Sequence, residues 1–385
     1  MGKIVNKIAI IGASYLQEPL IQKAKARGLE THVFAWAAND VGEKSADYFY
    51  PISIIEKDQI LEKCREINID GICTIASDLA VITVNYVAEK MGLIGNTMEC
   101  VKVSTNKYFM RKCFEEHGDP SPKSTLVKSI TDLDNINLKY PVIVKPVDRS
   151  GSRGIIELQD RSGLEDAIEN AKVQGFEKYA LVEEFATGQE YSVEYISWRG
   201  KHQFLALTKK YTTGSPDFIE TGHLEPAPVD EETLLRVENV VSHALTSLGI
   251  QYGASHSELK ISEDGEIKLI EIGGRMGGDN IGASLVELST GYDFLGAVLD
   301  VALGIEPVYE KTKKSCAGIR FVFSKEDIEI LKNIKKNNPE ILVEEDIHNI
   351  TGEKITDSSS RFGYFMFASD DIELLEKYLP SNHEA

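Results

Sequence analysis

The chain has 385 residues, which is more than one average domain, so we expect two or three domains. Hydrophobic residues make up 42% and charged residues 27% of the sequence, which is ordinary for a globular protein and excludes long disordered tracts. The 42 Lys and Arg against 61 Asp and Glu give a net charge of −19, which argues against a nucleic-acid or membrane partner but allows a small anionic ligand.

The cysteines and the apolar segments indicate a cytoplasmic protein. The five cysteines include no CxxC pair and are odd in number, so we expect reduced, mostly buried thiols. The apolar run at 8–11 is too short for a signal-peptide core, and no segment approaches the length of a membrane span.

The first hundred residues alternate between strands and helices. Strands are predicted at 4–12, 31–35 and 71–75, with a helix that stops near Gly28 and another around 60–67. This alternation is typical of a doubly wound parallel sheet, so we predict a Rossmann-like domain over residues 1–104. The turn at Gly12 lacks the second glycine of GxGxxG, which disfavours a nicotinamide cofactor and an oxidoreductase.

The remaining sequence mixes helices with short strands, so the chain as a whole is predicted to be α/β, with further domains at 105–310 and 311–385. A helix carrying Leu285 and Val298 is predicted after the last strand of the second domain. The other helices of that domain are predicted at 106–117, 163–172 and 230–248. Its strands are predicted at 142–145, 154–158, 180–183, 190–197, 254–261 and 266–272. Residues 314–385 read as strand, helix and strand.

A lysine and a loop of small residues form the first candidate site. Lys145 ends the strand at 142–145, and a loop at 149–154 follows. Backbone amides in such a loop can surround phosphate oxygens, and Lys145 would supply a positive charge. An ordinary hairpin with a solvated lysine fits the same residues. The small residues of this loop are Ser150, Gly151, Ser152 and Gly154.

A short connector between two strands forms the second candidate site. The backbone of Glu183 to Ala186 could bind an adenine edge, with Phe185 as an apolar wall. Glu190 could then accept hydrogen bonds from both ribose hydroxyls. A plain acidic hairpin is the alternative.

Two glutamates on adjacent strands form the third and most specific candidate site. The Asp264-Gly265 turn makes Glu258 and Glu271 neighbours in an antiparallel hairpin, with His256 on the same face as Glu258. Adjacent carboxylates repel unless a cation lies between them, and Mg²⁺ prefers carboxylate and phosphate oxygens. An exposed acidic hairpin is the alternative.

A glycine-rich loop follows the second glutamate, at 273–280. Its four glycines leave room for a ligand close to the backbone, and Arg275 could neutralise charge on a transferred phosphoryl group. A mobile surface loop is the alternative.

These residues, in this order, resemble the ATP-grasp superfamily. The resemblance covers about 105–300 and rests on Lys107, Lys145, the loop at 149–154, the connector at 183–186, Glu190, Glu258 and Glu271. Within the superfamily the chain most resembles the L-amino acid ligases, which form dipeptides. Three segments carry this likeness: Gly253–Lys260, Phe218–Pro226 and Arg361–Tyr364.

The resemblance implies a fold as well as a site. Residues 1–104 would form a pre-ATP-grasp domain, and 105–310 an α+β ATP-grasp domain with a small subdomain at about 120–185. Residues 311–385 would add a small C-terminal α+β subdomain. The implied ATP-binding residues are Lys107, Lys145, Ser150, Gly151, Ser152, Gly154, Glu183, Glu184, Phe185, Ala186 and Glu190.

The resemblance also implies the metal and substrate residues. Glu258 and Glu271 would hold two Mg²⁺ ions, for which Mn²⁺ could substitute, and Lys145 and Arg275 would be catalytic. Many relatives have asparagine where this chain has Gly273, so one metal ligand would be missing. The implied substrate residues are Glu220, His223, His256, Arg275, Gly278 and Asp279.

The sequence therefore predicts an ATP-dependent carboxylate–amine ligase that works through an acyl phosphate on small amino-acid-like substrates. A bicarbonate-using carboxylase or carbamoyl-phosphate-type enzyme is one alternative, and a non-catalytic nucleotide-binding scaffold is another. A homodimer is expected by analogy.

Overall fold

The computed structural model describes residues 5–151, 153–351 and 354–381. Within these ranges the chain forms three sheets that follow one another along the sequence, which confirms the predicted α/β class. The helices in the described part of the chain are all too short or too polar to cross a membrane.

The first sheet is parallel, with strand order β3-β2-β1-β4. Alternate residues of its central strand enter different cores, so Ile8 and Ile10 pack on one face and Ala9 and Ile11 on the other. The elements are β1 (Lys7–Ile11), α1 (Glu18–Ala26), β2 (Glu30–Phe34), α2 (Val41–Ser45), β3 (Tyr48–Tyr50), α3 (Lys57–Ile67), β4 (Gly71–Cys73), α4 (Asp78–Met91) and α5 (Met98–Thr105).

The glycine of the turn after β1 packs against protein. Gly12 has φ +108°, and a Cβ there would lie 2.9 Å from the Gln17 side chain. The Gln17 amide in turn donates to the carbonyl of Ile75 at 2.8 Å. Gln17 therefore occupies the space beside Gly12.

The second sheet is antiparallel, with order β5-β8-β6-β7, and α7 covers one face. Its strands end at the residues that the sequence marks as candidates for phosphate and adenine contacts. The elements are α6 (Lys107–His117), β5 (Ser124–Val127), a 3₁₀ turn (Ile130–Leu133), β6 (Val142–Pro146), β7 (Ile156–Leu158), α7 (Leu164–Gln174) and β8 (Ala180–Glu184).

The third sheet has eight antiparallel strands in the order β13-β12-β9-β10-β11-β14-β16-β15. Helix α8 packs on the face formed by β9, β10 and β12. The elements up to the glycine-rich loop are β9 (Gln189–Trp198), β10 (Lys201–Thr212), β11 (Glu220–Glu225), α8 (Glu231–Ser247), β12 (Tyr252–Ile261) and β13 (Ile267–Gly273). The later elements are a π-helical turn (Ile281–Leu285), α9 (Val286–Thr290), α10 (Phe294–Ala302), β14 (Cys316–Phe321), α11 (Lys325–Asn337), a 3₁₀ turn (Pro339–Ile341), β15 (Leu342–Ile347), a 3₁₀ turn (Ser358–Ser360), β16 (Gly363–Ser369) and α12 (Ile372–Glu376).

Two of the predicted segments differ from the structure. The single helix expected through Leu285 and Val298 is wrong, because Gly291 at φ +69° ends α9 and the side chain of Asp293 caps α10. The segment at 218–226, which resembles a substrate loop, contains strand β11. The division of the chain into domains at 104 and 310 stays a prediction.

A buried carboxyl lies in the core between β10, β11 and α9. Glu225 is fully buried and accepts hydrogen bonds from the hydroxyls of Thr208 at 2.6 Å and Ser289 at 2.7 Å. Burial raises the pKa of Glu225 to about 7, against an ordinary value of 4.5, and the two hydroxyls offset only part of this shift.

We expect Glu225→Gln to become more stable relative to the unmodified protein as the pH rises. The stability that Glu225 contributes is complete below about pH 4.5 and is lost as the pH rises through about 7, which amounts to roughly 3 kcal/mol. Urea unfolding of both proteins at about pH 5 and about pH 8 measures this change. The exposed Glu263→Gln serves as the control and should show no trend; a pH-independent difference for Glu225→Gln would contradict the assignment.

Candidate functional site

A cleft of about 1020 Å³ lies between the second and third sheets. Its lining combines apolar side chains with cations and carboxylates, which is the arrangement expected for a ligand with an apolar ring and an anionic tail. The apolar residues are Pro122, Ile143, Ile155, Phe185, Ala186, Phe218 and Ile270; the charged residues are Lys107, Lys145, Arg149, Glu183, Glu184, Glu190, Lys210, Glu220, Glu258, Lys260, Glu271 and Arg275.

A β-bulge places Glu271 in this first cleft. Glu258 pairs with Glu271 across the hairpin, but the next pair is Leu259 with Leu269, so Ile270 is an extra residue on β13. The bulge lets both Ile270 and Glu271 line the cleft, while Leu269 is fully buried in the core on the other face. The predicted pairing of the two glutamates is therefore confirmed.

Each of the two glutamates is paired with a buried lysine. Lys107 Nζ lies 2.7 Å from Glu271 and also donates to the carbonyl of Arg149 at 2.7 Å. Lys210 Nζ lies 2.8 Å from Glu258, 2.8 Å from Glu190 and 3.5 Å from Glu220. These lysines offset the repulsion that adjacent carboxylates would otherwise suffer.

The pKa values of Lys210 and Glu258 in the first cleft depend on one another. Burial alone would lower the pKa of Lys210, but the carboxylates of Glu190 and Glu258 raise it well above its ordinary value. Burial would likewise raise the pKa of Glu258, yet Lys210 and His256 hold it well below the ordinary range. The cleft therefore presents an ionised Glu258 and a charged Lys210 at neutral pH.

A buried ion network fixes Lys145 and the bulge together. The Glu183 carboxylate pairs with Lys145 and accepts from Arg111 Nε at 3.1 Å. Arg111 Nη2 also donates to the carbonyl of Ile270, the bulge residue, at 2.7 Å. Burial would raise the pKa of Glu183, but Arg111 and Lys145 lower it, so the carboxylate is ionised and holds both cations in place.

A second cleft of about 950 Å³ adjoins the first. The two clefts share a wall and are open to the same groups at that wall. The shared residues are Ser150, Gly151, Lys210, Glu220, His256, Glu258 and Arg275. The far side of the second cleft is formed by the turn after β1, the glycine-rich loop and the segment before β16.

The ion pair of Arg361 with Asp279 forms the far wall of the second cleft. Both oxygens of Asp279 accept from Arg361, at 2.6 and 2.9 Å, and the guanidinium lies 3.6 Å from the centroid of the Phe321 ring. His223 packs edge-on against the same ring and lies 3.8 Å from Asp279. Burial lowers the pKa of His223, so its imidazole is neutral.

His256 links the shared wall to the glycine-rich loop. Its imidazole pairs with the fully buried carboxylate of Glu194, which also accepts from the backbone N–H of Gly277 at 3.0 Å. Burial would lower the pKa of His256, but Glu194 raises it to about 9. The imidazolium lies 3.5 Å from Glu258, so it adds a further positive charge beside that carboxylate.

The structure brings most of the predicted site residues to the two clefts. Gly154 instead packs beside Pro146 and Gln174, with a Cβ position about 3.2 and 3.1 Å from their side chains, and Ser152 lies outside the described residues. The first cleft contains Lys107, Lys145, Ser150, Gly151, Glu183, Glu184, Phe185, Ala186, Glu190, Glu258, Glu271 and Arg275. The second contains Glu220, His223, His256, Arg275, Gly278 and Asp279. Their individual roles stay predictions.

Some charged residues that pair with the predicted site residues are missing from the sequence predictions. Lys210 lies on β10, a strand that the sequence does not predict, and its neighbour Lys209 carries the same charge, so no local signal separates them. The others act as partners of predicted residues from distant parts of the chain. They are Asp78, Arg111, Glu194 and Arg361.

Comparison with known proteins agrees with this geometry. A sequence model of the ATP-grasp domain matches residues 138–283, which include the small-residue loop, both metal-candidate glutamates and the glycine-rich loop. This part of the chain is similar to the ATP-grasp domain. Alanine–anticapsin ligase of Bacillus subtilis is 27% identical over 270 residues, covering 63% of this chain and 56% of that protein. The chain thus spans little more than half the length of that curated relative.

Solved structures extend the likeness to nearly the whole chain. The crystal structure of an L-amino acid ligase from Bacillus licheniformis has a TM-score of 0.83 and 25% identity, covering 98% of this chain and 96% of that one. The ADP complex of an N5-carboxyaminoimidazole ribonucleotide synthetase has a TM-score of 0.78 at 18% identity, covering 98% and 97%, and shows the shared fold alone.

The residues of the first cleft suit a metal ion that phosphate oxygens also coordinate. Among the described residues no group of three or more His, Cys, Asp and Glu is arranged to hold a metal ion. Glu258 and Glu271 nevertheless offer two opposed carboxylates in the first cleft, each balanced by a lysine. One or two carboxylates are the number that Mg²⁺ usually takes from protein when phosphates and water supply the rest.

We expect Glu183→Gln to destabilise the protein by roughly 3 kcal/mol, because it leaves two buried cations without their carboxylate. The neighbouring Glu184→Gln is the matched control. Its side chain is half-buried and accepts one long hydrogen bond, at 3.4 Å, so we expect a change of about 0.5 kcal/mol or less. Chemical denaturation of both variants measures the difference; equal effects would contradict the network described above.

Proposed function

We propose that this protein is an ATP-dependent ligase that joins a carboxylate to an amine. The observation that carries the proposal is the shared wall between the clefts. Lys210, Glu258 and Arg275 line both the first cleft and the second. A phosphate tail in the first cleft and a small substrate in the second would therefore meet at these residues.

The first cleft would hold ATP with its base beside the apolar side chains. The backbone N–H groups of Glu184 and Phe185 already donate to the carbonyls of Lys123 and Pro141, at 3.0 and 3.3 Å. The next backbone group, at Ala186, is therefore the proposed donor to the adenine edge. Glu190 would bind the ribose, and Lys107 and Lys145 would contact the phosphates.

Glu258 and Glu271 would hold two Mg²⁺ ions, with Mn²⁺ as a possible substitute. The ions would neutralise phosphate charge and so favour phosphoryl transfer. Lys107 and Lys210, which pair with these carboxylates, would then be free to turn toward phosphate oxygens. The same lysines that balance the carboxylates would thus contribute to nucleotide binding.

The reaction would proceed in two displacements. A substrate carboxylate oxygen attacks the γ-phosphorus, giving an acyl phosphate and ADP; an amine then attacks the acyl carbon, phosphate leaves and the amine loses a proton. Little covalent chemistry falls to the protein, so orientation and charge neutralisation dominate. Arg275 would steady the acyl phosphate, and the neutral imidazole of His223 could accept the proton.

Amino acids are the proposed substrate class. The second cleft presents both signs of charge, from Glu220, Arg361 and Asp279 among others, which suits a zwitterion. The names of similar proteins point the same way: alanine–anticapsin ligase, dapdiamide A synthase and an L-amino acid ligase. Glu220, which accepts from Ser358 and lies 3.5 Å from Lys210, and Asp279, which accepts from Arg361, are the two candidate acids for an α-ammonium group.

A screen for ADP and phosphate release over pairs of the twenty amino acids tests the proposal. We expect release that depends on both amino acids of a pair. Glu271→Gln should lower this release at least about 100-fold, because a lost metal ligand removes several kcal/mol of transition-state stabilisation. Its circular dichroism and Tm should match those of the unmodified protein closely enough to show a folded chain.

The matched control is Glu266→Gln, an exposed carboxylate on the same hairpin, which should turn over normally. Unchanged turnover in Glu271→Gln would overturn the metal assignment. Release that rises with bicarbonate rather than amines would indicate a carboxylase. ATP binding by calorimetry with no release in any mixture would indicate a non-catalytic scaffold.

A further inference from the structure

The space beside Gly273 is occupied by a residue from the N-terminal sheet region. Gly273 ends β13, two residues after Glu271, at the position where many ATP-grasp enzymes carry asparagine. A Cβ at Gly273 would lie 2.8 Å from Asp78 Oδ1 and 3.3 Å from Arg275 Cζ. The first distance is too short for an ordinary side-chain contact, so a larger residue at 273 would force Asp78 to move.

Asp78 uses this space to hold Arg275 at two points. Arg275 Nε donates to Asp78 Oδ1 at 2.8 Å, and Nη2 donates to Oδ2 at 2.9 Å. Such a two-point contact fixes both the position and the plane of the guanidinium. The third nitrogen, Nη1, donates to the carbonyl of Met276 at 3.4 Å. Arg275 lines both clefts in this orientation.

The turn that carries Asp78 is itself bound to the glycine-rich loop. Asp78 is the first residue of α4, which Ser77 caps through the backbone N–H of Ala80. The preceding Ala76 has φ +58°, an unusual conformation for a residue with a Cβ, and its N–H donates to the carbonyl of Met276 at 3.1 Å. Two consecutive contacts therefore fix this turn to the loop that presents Arg275.

We propose that Asp78 is a positioning residue for Arg275, and that the N-terminal domain thereby completes the ligase site. The inference rests on the proposed function for the role of Arg275 at the acyl phosphate. The competing explanation is that Asp78 only helps to dock the two parts of the chain.

A remote ion pair supplies the control for docking. Arg27 on α1 pairs with Asp300 on α10 and donates to the carbonyl of Gly296 at 2.7 Å, so it joins the same two regions away from both clefts. Asp300→Asn therefore weakens docking without touching Arg275. Asp78→Asn keeps the shape of the side chain but removes the charge that holds the guanidinium.

We expect Asp78→Asn to lower kcat for amino-acid-dependent ADP release about 100-fold, since a misplaced catalytic group costs about that much. The KM for ATP should stay within about 3-fold, because the nucleotide contacts lie on other residues. Asp300→Asn should stay within about 2-fold in both constants. A kcat for Asp78→Asn near that of the unmodified protein, or equal losses in the two variants, would overturn the proposal.

A second comparison separates positioning from space filling. Gly273→Asn should lower the Tm of the otherwise unmodified chain, because the new side chain meets Asp78. In an Asp78→Ala background the same change should cost no stability, yet turnover should stay low because Arg275 has lost its partner. Additive Tm changes, or recovery of turnover in the double variant, would contradict the proposal.

The Tm comparison can be made whether or not the protein turns over a substrate. If the unmodified protein turns over no amino-acid pair, the proposed function fails. Additive Tm changes would instead count against the exclusion between Asp78 and residue 273, whether or not the function holds.

Discussion

The β-bulge at Ile270 determines what the hairpin of β12 and β13 can do. Strict alternation along β13 would put Glu271 on the same face as Leu269, which is fully buried in the core. The extra residue reverses the alternation, so Glu271 faces the cleft opposite Glu258. A site that binds a metal between two strands requires both carboxylates on one face, and the bulge meets this requirement without placing a charge in the core.

The same bulge is tied to the second sheet through charged groups. Arg111 binds the carbonyl of Ile270 and the carboxylate of Glu183, and Glu183 in turn holds Lys145. A buried ion network of this kind adds little net stability, because desolvation offsets the attraction. Its consequence is geometric: the lysine proposed for phosphate contact and the glutamate proposed for metal binding cannot move independently. Preorganised charge is the main contribution an enzyme makes to a phosphoryl transfer.

Much of the site follows from local sequence, and the rest depends on distant partners. The Asp264-Gly265 turn fixes the hairpin closely enough to predict that Glu258 and Glu271 are neighbours, and the strand before Lys145 is equally clear. The bulge is invisible to an alternation pattern. Asp78 and Arg275 are 197 residues apart, and no local signal links them. The sequence pattern does not predict the break between α9 and α10, because apolar spacing continues across Gly291, whose positive φ ends the helix.

The most direct test of the central claim follows an oxygen atom. In an acyl-phosphate mechanism the carboxylate oxygen that attacks phosphorus leaves with the phosphate. Amino acids labelled with ¹⁸O in the carboxylate should therefore give inorganic phosphate that carries one ¹⁸O atom for each amide bond formed, as measured by mass spectrometry. Amide formation with unlabelled phosphate would contradict the account, because the carboxylate would not then have been the nucleophile toward ATP.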